Sequence, residues 1–349
     1  MNRRAFSEAL ELVSPALATK DLIPILSCFC FSEQGVLAYD DIVAIYHPLE
    51  NCNISGAVRG KLLMDWALCT RSPELVATTS DGSIEVKAGR ARLNTVLLPP
   101  EDFVFSFPED KQKVTIALDN KWMAAITKSH VSVGLDPAHP WRMGITIARE
   151  NDRTVIYSSD NKSATRVKLK RPLDLKSPVI LPARFLQLLI DLSKKLDPEM
   201  LVLNKRWVEA HFTNGLRLFS RSGAKPDLRA FSGLFGALEA IDKSEFCEIP
   251  KGFGSCLERA QAILPFAKQP YTRISVREGK MGLYTQSSAG EVSDKIQIPG
   301  HSDIEVDCSP GLMLKVLPYA EKMKMARRFI AFKAPGFESL TSTIISSGG

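Results

Sequence analysis

The side chains that most often carry out catalysis occur in this chain without the spacings that catalysis requires. The histidines form no HxxxH or HExxH pair. The five histidines are His47, His130, His139, His211 and His301. Adjacent carboxylates such as Asp40 and Asp41 fall at strand ends, where neighbouring side chains point to opposite faces and make no acid/base pair. The sequence therefore predicts no catalytic residue and favours a binding protein over an enzyme.

Signatures of cofactor and metal binding are equally incomplete. The segment GAVRGKL at positions 56–62 has one residue too few between its glycines for a phosphate-binding loop, and it lacks the Ser or Thr that holds magnesium. Cys28 and Cys30 share a face of a predicted strand, but no further ligand lies nearby in the sequence. Seven cysteines without paired spacing predict reduced thiols. We expect no cofactor and no metal.

The net charge of +6 is unevenly distributed along the chain. Residues 1–112 carry 10 basic and 15 acidic side chains, residues 113–243 carry 22 and 13, and residues 244–349 carry 13 and 11. The middle segment therefore has a net charge of +9. Such a surface suits contact with a polyanion, and a solvated basic face without a partner explains the charge equally well.

The composition is that of a globular chain with two or three domains, since it has 349 residues of which 45% are apolar. The first residues, MNRRAFSEALELVSPAL, mix charged with apolar positions and contain no signal-peptide core. The longest apolar run, at positions 22–31, is too short to span a bilayer. We therefore expect a soluble cytoplasmic protein without a membrane partner.

A helix–strands–helix–strands pattern occurs three times along the chain, which is the strongest signal in the sequence. The first helices begin near Arg4, Asp119 and Lys251, and the second helices begin near Gly60, Leu181 and Ser309. Hairpin turns follow at Gln34 and Gly35, Asn151 and Asp152, Glu278 and Gly279, and then at Asp81 and Gly82, Asn214 and Gly215, Pro335 and Gly336. The pattern predicts an α+β fold with three units, 1–112, 113–243 and 244–349, which abut through continuous sheets or packed edges.

Basic residues follow the solvent faces of the predicted helices. Lys121 and Lys128 are seven residues apart on one helix, and Lys315 and Lys322 repeat this spacing on another. Arg184, Lys194 and Lys195 belong to the second helix of the middle unit. Pro318 should kink or end the last helix. Each of these cations is as compatible with plain surface as with nucleic-acid contact.

Four blocks, in order along the chain, resemble the bacterial DNA polymerase III beta subunit, the replicative sliding clamp. The blocks are LVSPALATKDLIPILSCFCF, GRARLNTVLLPPEDF, SPVILPARFLQLLIDLSKKL and GLRLFSRSGAKPDLRAF. The resemblance implies three clamp domains, each of two helices packed on antiparallel sheets. It also implies that two protomers join head to tail in a ring whose helices line the hole.

The resemblance also implies the residues that contact DNA, partners and the second protomer. The DNA-binding candidates that match family positions are Lys20, Trp141, Arg142, Arg184, Lys268 and Arg273. Lys121, Lys128, Lys194 and Lys315 are further candidates because they are basic residues of the predicted helices, which would line the hole. The candidates for a partner-peptide pocket are Arg142, Ser159, Asn161, Lys162, Ala164, Leu234, Ile344 and Ile345. The candidates for the dimer interface are Leu93, Thr95, Ile263 and Leu264, and a place in the core at the end of a helix is the alternative for the last two.

The pocket departs from the family pattern. The turn that reads T-D-G-H-R-L in the family reads S-D-N-K-S-A at positions 159–164, and the tail lacks the family's methionines. Asn161 can take the left-handed conformation of the replaced glycine, so the turn should persist. Because the side chains of this turn differ from those of the family, the sequence does not identify the peptide motif that the pocket prefers.

These features together favour a DNA sliding clamp, a processivity factor that tethers the replicative polymerase to duplex DNA and binds polymerase and clamp loader through short peptides. One alternative is a monomeric clamp-like nucleic-acid-binding protein that serves repair or virion structure. Another is a hydrolase or nuclease with its site between domains, for which the sequence offers no carboxylate cluster.

Overall fold

The computed structural model describes residues 1–20, 23–108, 113–241, 245–267 and 270–344. In this part of the chain no helix is both long and apolar enough to cross a membrane. The α-helices of the described residues are α1 (Arg3–Val13), α2 (Gly60–Cys69), α3 (Asn120–His130), α4 (Ala183–Leu192), α5 (Leu228–Glu239), α6 (Phe253–Ile263) and α7 (Pro310–Val316).

The strands of the described residues are all joined by antiparallel pairing. They are β1 (Cys28–Ser32), β2 (Gly35–Tyr39), β3 (Val43–Pro48), β4 (Gly56–Arg59), β5 (Val76–Ser80), β6 (Ser83–Ala88), β7 (Ala91–Val96), β8 (Val114–Ala117), β9 (Gly144–Glu150), β10 (Arg153–Ser159), β11 (Ser163–Leu169), β12 (Val179–Pro182), β13 (Pro198–Leu203), β14 (Trp207–Phe212), β15 (Arg217–Arg221), β16 (Cys247–Glu248), β17 (Thr272–Arg277), β18 (Lys280–Ser287), β19 (Gly290–Gln297), β20 (Ile304–Cys308), β21 (Lys322–Met325), β22 (Phe329–Ala334) and β23 (Phe337–Ser342).

The chain divides into two compact units. Unit 1 comprises Met1–Met123 and Arg184–Ser222, and unit 2 comprises Ala124–Ala183 and Gly223–Gly349. Unit 1 contains an eight-stranded sheet of order β4-β1-β2-β3-β15-β14-β13-β8 and a three-stranded sheet of order β5-β6-β7. Unit 2 contains an eight-stranded sheet of order β12-β9-β10-β11-β23-β22-β21-β16 and a four-stranded sheet of order β19-β18-β17-β20.

Unit 1 is organised around the apolar face of α1. The side chain of Asn2 caps the helix by accepting a hydrogen bond from the Ala5 amide at 3.1 Å. Phe6, Leu10 and Val13 recur at helical spacing and are fully buried. The ring of Phe6 stacks on Phe31 of β1 at 5.9 Å between centroids. The periodic apolar residues therefore fix the helix against the sheet.

Unit 2 covers its larger sheet on both faces. Ser129 of α3 accepts a hydrogen bond through its carbonyl from the Ser158 hydroxyl of β10, which places α3 on one face. On the other face lies α5, whose Phe231 stacks on the ring of Tyr157 at 4.8 Å. Since Tyr157 and Ser158 are adjacent on a strand, they point to opposite faces. The sheet therefore separates α3 from α5.

The six predicted helices and the six predicted hairpin turns are confirmed. Each helix begins within two residues of the predicted start, and the proline at position 318 follows the end of α7 at Val316. The predicted continuity of sheets is also confirmed, because β3 pairs with β15 and β11 pairs with β23.

Two expectations about elements were wrong. Lys322 does not continue the stripe of Lys315, because α7 ends at Val316 and Lys322 begins strand β21. Lys194 and Lys195 lie just beyond α4, which ends at Leu192. The helix α5 was not expected at all, although its buried Phe231, Phe235 and Leu238 have helical spacing.

Candidate functional site

The turn between β10 and β11 is built around one carboxylate. Oδ1 of Asp160 accepts hydrogen bonds from the amides of Lys162 and Ser163 at 3.0 and 2.6 Å and from the Ser163 hydroxyl at 2.9 Å. Asn161 has a φ of 74°, a conformation that Asn tolerates better than most residues. The prediction that this turn persists with Asn in place of Gly is confirmed. Ser159 is buried, and its hydroxyl donates to the Ser163 carbonyl at 3.0 Å.

A groove of about 380 Å³ lies beside this turn in unit 2. Its floor is apolar, because Ala164 of β11 and Leu340 of β23 are paired across the sheet and both are buried. The wall contributed by α5 consists of Gly233, Leu234 and Ala237. Leu234 is 41% exposed, so an apolar side chain already faces solvent here. A volume of this size accommodates a small ligand or a few side chains of a peptide.

Three cations line the groove and none of its lining residues is acidic. The cations are Arg142, Lys162 and Arg328. None of them makes an ion pair with another described residue. Arg142 lies over the ring of Trp141 at 4.6 Å, and its Nε is buried without a hydrogen-bond partner among the described residues. The groove therefore combines an apolar floor with a cationic rim.

The structure brings most of the predicted pocket residues together. Arg142, Ser159, Asn161, Lys162, Ala164 and Leu234 all line the groove. Ile344 does not, because its amide bonds to the Asp307 carbonyl at 2.7 Å and holds this part of the chain beside β20. Ile345 lies outside the described residues.

Several lining residues were not predicted from the sequence. They are Ser163, Gly233, Ala237, Arg328, Phe329, Leu340 and Ser342. They come from β11, α5, β22 and β23 and the turn before β22, which are far apart in sequence. The helical spacing of the phenylalanines in α5 was the one signal that could have located Gly233 and Ala237, which lie on the opposite face.

The cations predicted to contact DNA differ in whether other protein groups already bind their charges. Lys20, Lys121 and Lys315 are exposed and Lys128 is half-buried, and none of the four makes an ion pair with another described residue. Arg184 donates to the Pro15 carbonyl at 2.6 Å and lies 3.5 Å from the Asp40 carboxylate. Its guanidinium is therefore already partly satisfied within unit 1.

Two further cations are neutralised by carboxylates. Lys194 pairs with Asp191 at 2.6 Å, and Arg273 pairs with Asp307 at 3.1 Å and Glu305 at 3.5 Å. Trp141 packs edge-on against Phe231 at 5.3 Å and so belongs partly to the core. Lys268 lies outside the described residues. These pairings leave Lys20, the helical lysines and Arg142 as the members of the predicted set that make no ion pair with another described residue.

The residues predicted for a dimer interface occupy a strand edge and a helix end. Leu93 and Thr95 are half-buried on β7, the edge strand of its sheet. Ile263 is half-buried at the end of α6, whereas Leu264 is only 6% exposed and contributes to the core of unit 2. Phe266, two residues further, is 57% exposed. The apolar surface available at this end of α6 is therefore Phe266 rather than Leu264.

Comparisons with known proteins give a result at the level of structure. The sequence matches no protein-family model and no curated protein. A DnaN sliding clamp (DNA polymerase III subunit beta) from Bartonella birtlesii, solved with bound griselimycin, is similar at a TM-score of 0.85 and 15% identity, covering 99% of this chain and 98% of that one.

Two other solved structures have a similar fold. The DNA polymerase III subunit beta from Pseudomonas aeruginosa is similar at a TM-score of 0.82 and 16% identity, covering 99% of both chains. The beta subunit from the DNA polymerase of Streptococcus pyogenes is similar at 0.81 and 15%, covering 99% of this chain and 98% of that one. The resemblance noted in the sequence is thus confirmed for the fold: this chain has the fold of the DNA polymerase III beta sliding clamps.

Proposed function

We propose that this chain is a DNA sliding clamp, a non-catalytic processivity factor in DNA replication that encircles duplex DNA and tethers the replicative polymerase. The observation that carries the proposal is the similarity of fold over 99% of the chain to sliding clamps. A fold alone does not determine function. The unpaired helical cations and the apolar groove give the proposal its physical support.

The proposed DNA contacts are weak and independent of sequence. A clamp must hold duplex DNA while it moves, and loose phosphate contacts by lysines allow this because they read no bases. Lys121 and Lys128 on α3 and Lys315 on α7 are the proposed contacts, together with Lys20. Arg184, Lys194 and Arg273 contribute less because protein groups already hold their charges.

The proposed assembly is a homodimeric ring of two protomers, each with three clamp domains at 1–112, 113–243 and 244–349. Head-to-tail contacts close a ring when repeating the rotation that relates one protomer to the next leads back to the first protomer. In the described part of the chain, β7 and β19 each form an edge of the sheet to which they belong. Such edges favour pairing with a second chain. We propose that β7 of one protomer pairs with β19 of its partner, and that Phe266 is buried there.

The proposed partner site is the groove of unit 2. Polymerase and clamp loader would each insert a short extended segment, with apolar side chains over Ala164 and Leu340 and acidic or polar groups toward Arg142 and Arg328. Tethering then raises the effective concentration of polymerase at the primer end without stronger contacts. Griselimycin bound to the Bartonella birtlesii clamp agrees with ligand binding by a protein of this fold.

The experiment that tests this function is retention on circular DNA. The protein is loaded onto a nicked plasmid with a clamp loader and ATP, and the complex is passed through a sizing column at high salt. We expect retention on the circle and release after a single restriction cut, because topology rather than charge holds a ring. Equal loss from circular and linear DNA would contradict the proposal. The groove variant Ala237→Trp should keep the molar mass of the wild type yet lose both loading and stimulation of polymerase, because loader and polymerase use the same groove.

A further inference from the structure

We propose that unit 2 carries a second docking site, for an acidic segment of a partner protein, on the sheet face that lies opposite α3. We define this basic pocket by its four lining cations Arg153, Lys168, Lys170 and Lys333 together with the neighbouring Lys322. It shares no lining residue with the groove described above. Docking at the basic pocket requires neither a ring nor DNA binding.

The strand register aligns these side chains on one face. Lys322 of β21 is directly opposite Lys333 of β22, and Lys333 is directly opposite Glu338 of β23. Glu338 is in turn opposite Arg166 of β11. Residues that face each other across strands share a side of the sheet, and Lys168 shares it with Arg166 by alternation. Lys170 follows the end of β11 and lines the same pocket. The hydroxyl of Thr165 contacts Ser132 on the other side, at 2.8 Å.

The pocket is concave and strongly cationic. Its volume is about 260 Å³, and Leu169 and Ala334 contribute apolar wall between the cations. Glu338 is its one acidic lining residue. The side chain of Glu338 is already held by Arg166 at 2.6 Å and Lys168 at 3.2 Å. Glu338 therefore has little capacity left to neutralise the remaining cations.

The other cations form no ion pair with another described residue. Lys333 lies over the ring of Phe246 at 4.2 Å, a contact that orients the ammonium without neutralising it. Lys322 and Lys333 are directly opposite each other, and on its other side each is directly opposite a glutamate, Glu248 for Lys322 and Glu338 for Lys333. Lys324, two residues on, does have a partner, Glu245 at 3.0 Å. Arg153, Lys170, Lys322 and Lys333 thus make no ion pair in the described part of the chain, and their charges remain available to an external anion.

The surroundings favour acidic polypeptide over nucleic acid. Binding of single strands relies on exposed aromatic rings for base stacking, and the one aromatic lining residue, Phe337, is fully buried. Duplex DNA is too wide for a cavity of this volume. Lys128, a proposed DNA contact, lies on α3, which covers the opposite face of the sheet from the basic pocket. Carboxylate side chains with short apolar stems fit both the cations and the apolar wall.

The test measures anisotropy of a short fluorescein-labelled peptide of Glu, Asp and Leu, binding to the full chain. The competitors are the unlabelled acidic peptide, the same peptide with Gln and Asn in place of the acids, a single-stranded oligonucleotide and a short duplex. The variant Lys322→Gln with Lys333→Gln removes two cations of the basic pocket. The variant Lys176→Gln with Lys225→Gln removes the same charge elsewhere in unit 2. Ala237→Trp blocks the other groove.

We expect the acidic peptide to bind wild type and to bind K322Q/K333Q about tenfold more weakly, with K176Q/K225Q and A237W unchanged. The proposal is overturned if acidic and amide peptides bind alike, if only A237W loses binding, or if the oligonucleotides displace the peptide at lower concentration than the acidic competitor does.

Discussion

At the scale of single residues, the central ion pair of unit 2 joins Arg166 to Glu338. Arg166 is only 5% exposed, lies over the ring of Phe235 at 4.5 Å and contacts the carboxylates of Glu338 and Glu239, both at 2.8 Å. Burial opposes ionisation of Glu338, but the charges of Arg166 and Lys168 outweigh it and lower the pKa of that carboxyl below 4.5. Together with Glu239, the pair links β11, β23 and α5. The sequence did not predict this cluster, since its three members are far apart in the chain.

Replacing Glu338 with Gln should destabilise the protein by about 3 kcal/mol near neutral pH, since it leaves the buried Arg166 guanidinium without its closest anion. Because the folded-state pKa of Glu338 is depressed, its stabilising contribution is complete above pH 4.5 and is lost as the pH falls through the folded pKa. Denaturant unfolding followed at several pH values measures both effects. Glu278→Gln on an exposed turn is the control. If Glu338→Gln lowered the free energy of unfolding by less than Glu278→Gln does, the role assigned to this pair would be contradicted.

His301 should make stability depend on pH in a higher range. Burial lowers the pKa of His301 below 6.5. Its neutral ring accepts from the Met325 amide at 2.9 Å and donates to the Ser302 carbonyl at 2.8 Å. The folded state thus resists protonation, so stability is complete above pH 6.5 and declines as the pH falls toward the folded pKa.

The measurement is unfolding free energy from about pH 7 to pH 5, over which we expect a loss of about 1 kcal/mol from this group. His301→Gln should reduce that slope. His139→Gln, at an exposed loop position, should not. An identical slope in the two variants would mean that His301 has no part in it.

At the scale of elements, the sequence was most informative where a pattern is local. The helical spacing of Phe6, Leu10 and Val13 correctly predicted α1. The dipeptide of Asn214 and Gly215 correctly predicted the turn between β14 and β15. Lys322 was misplaced because a seven-residue spacing carries no information about where a helix stops. The groove was only partly predictable, since its walls come from segments that meet through strand pairing. Arg328 had no local signal.

The turn at Asn161 offers a direct test of an element. Its φ of 74° suits Gly or Asn and strains a β-branched residue. Asn161→Gly should leave stability within about 0.5 kcal/mol of wild type, whereas Asn161→Val should cost about 1–2 kcal/mol. Thermal unfolding measures the difference. If Asn161→Val were as stable as Asn161→Gly, the turn would have to relax out of the left-handed region.

At the scale of the whole molecule, the proposed ring depends on surface that each chain leaves open. The edges of β7 and β19 and the ring of Phe266 are the features that a second copy would cover. Such surface is costly to leave exposed in a soluble protein. The resemblance named Leu93 and Thr95, which lie on β7, and it named Leu264. In the single chain Leu264 is buried and Phe266, two residues later, is exposed, a difference that only the structure reveals.

Replacing Phe266 with Asp should weaken the dimer at least about tenfold while leaving the folded chain intact, since this side chain is largely exposed in the single chain. Sedimentation across a dilution series, together with the thermal unfolding curve, separates the two effects. Leu135→Asp is the matched control, because Leu135 is 77% exposed and has no place in the proposed interface. Equal dissociation of both variants would remove Phe266 from the interface.

The ring itself is tested most directly by the molar mass of the wild-type protein, measured by light scattering from micromolar to nanomolar concentrations. A head-to-tail clamp predicts twice the mass of the 38.5 kDa chain, maintained on dilution. A mass of one chain at every concentration would contradict the closed ring and favour a monomeric protein with the clamp fold.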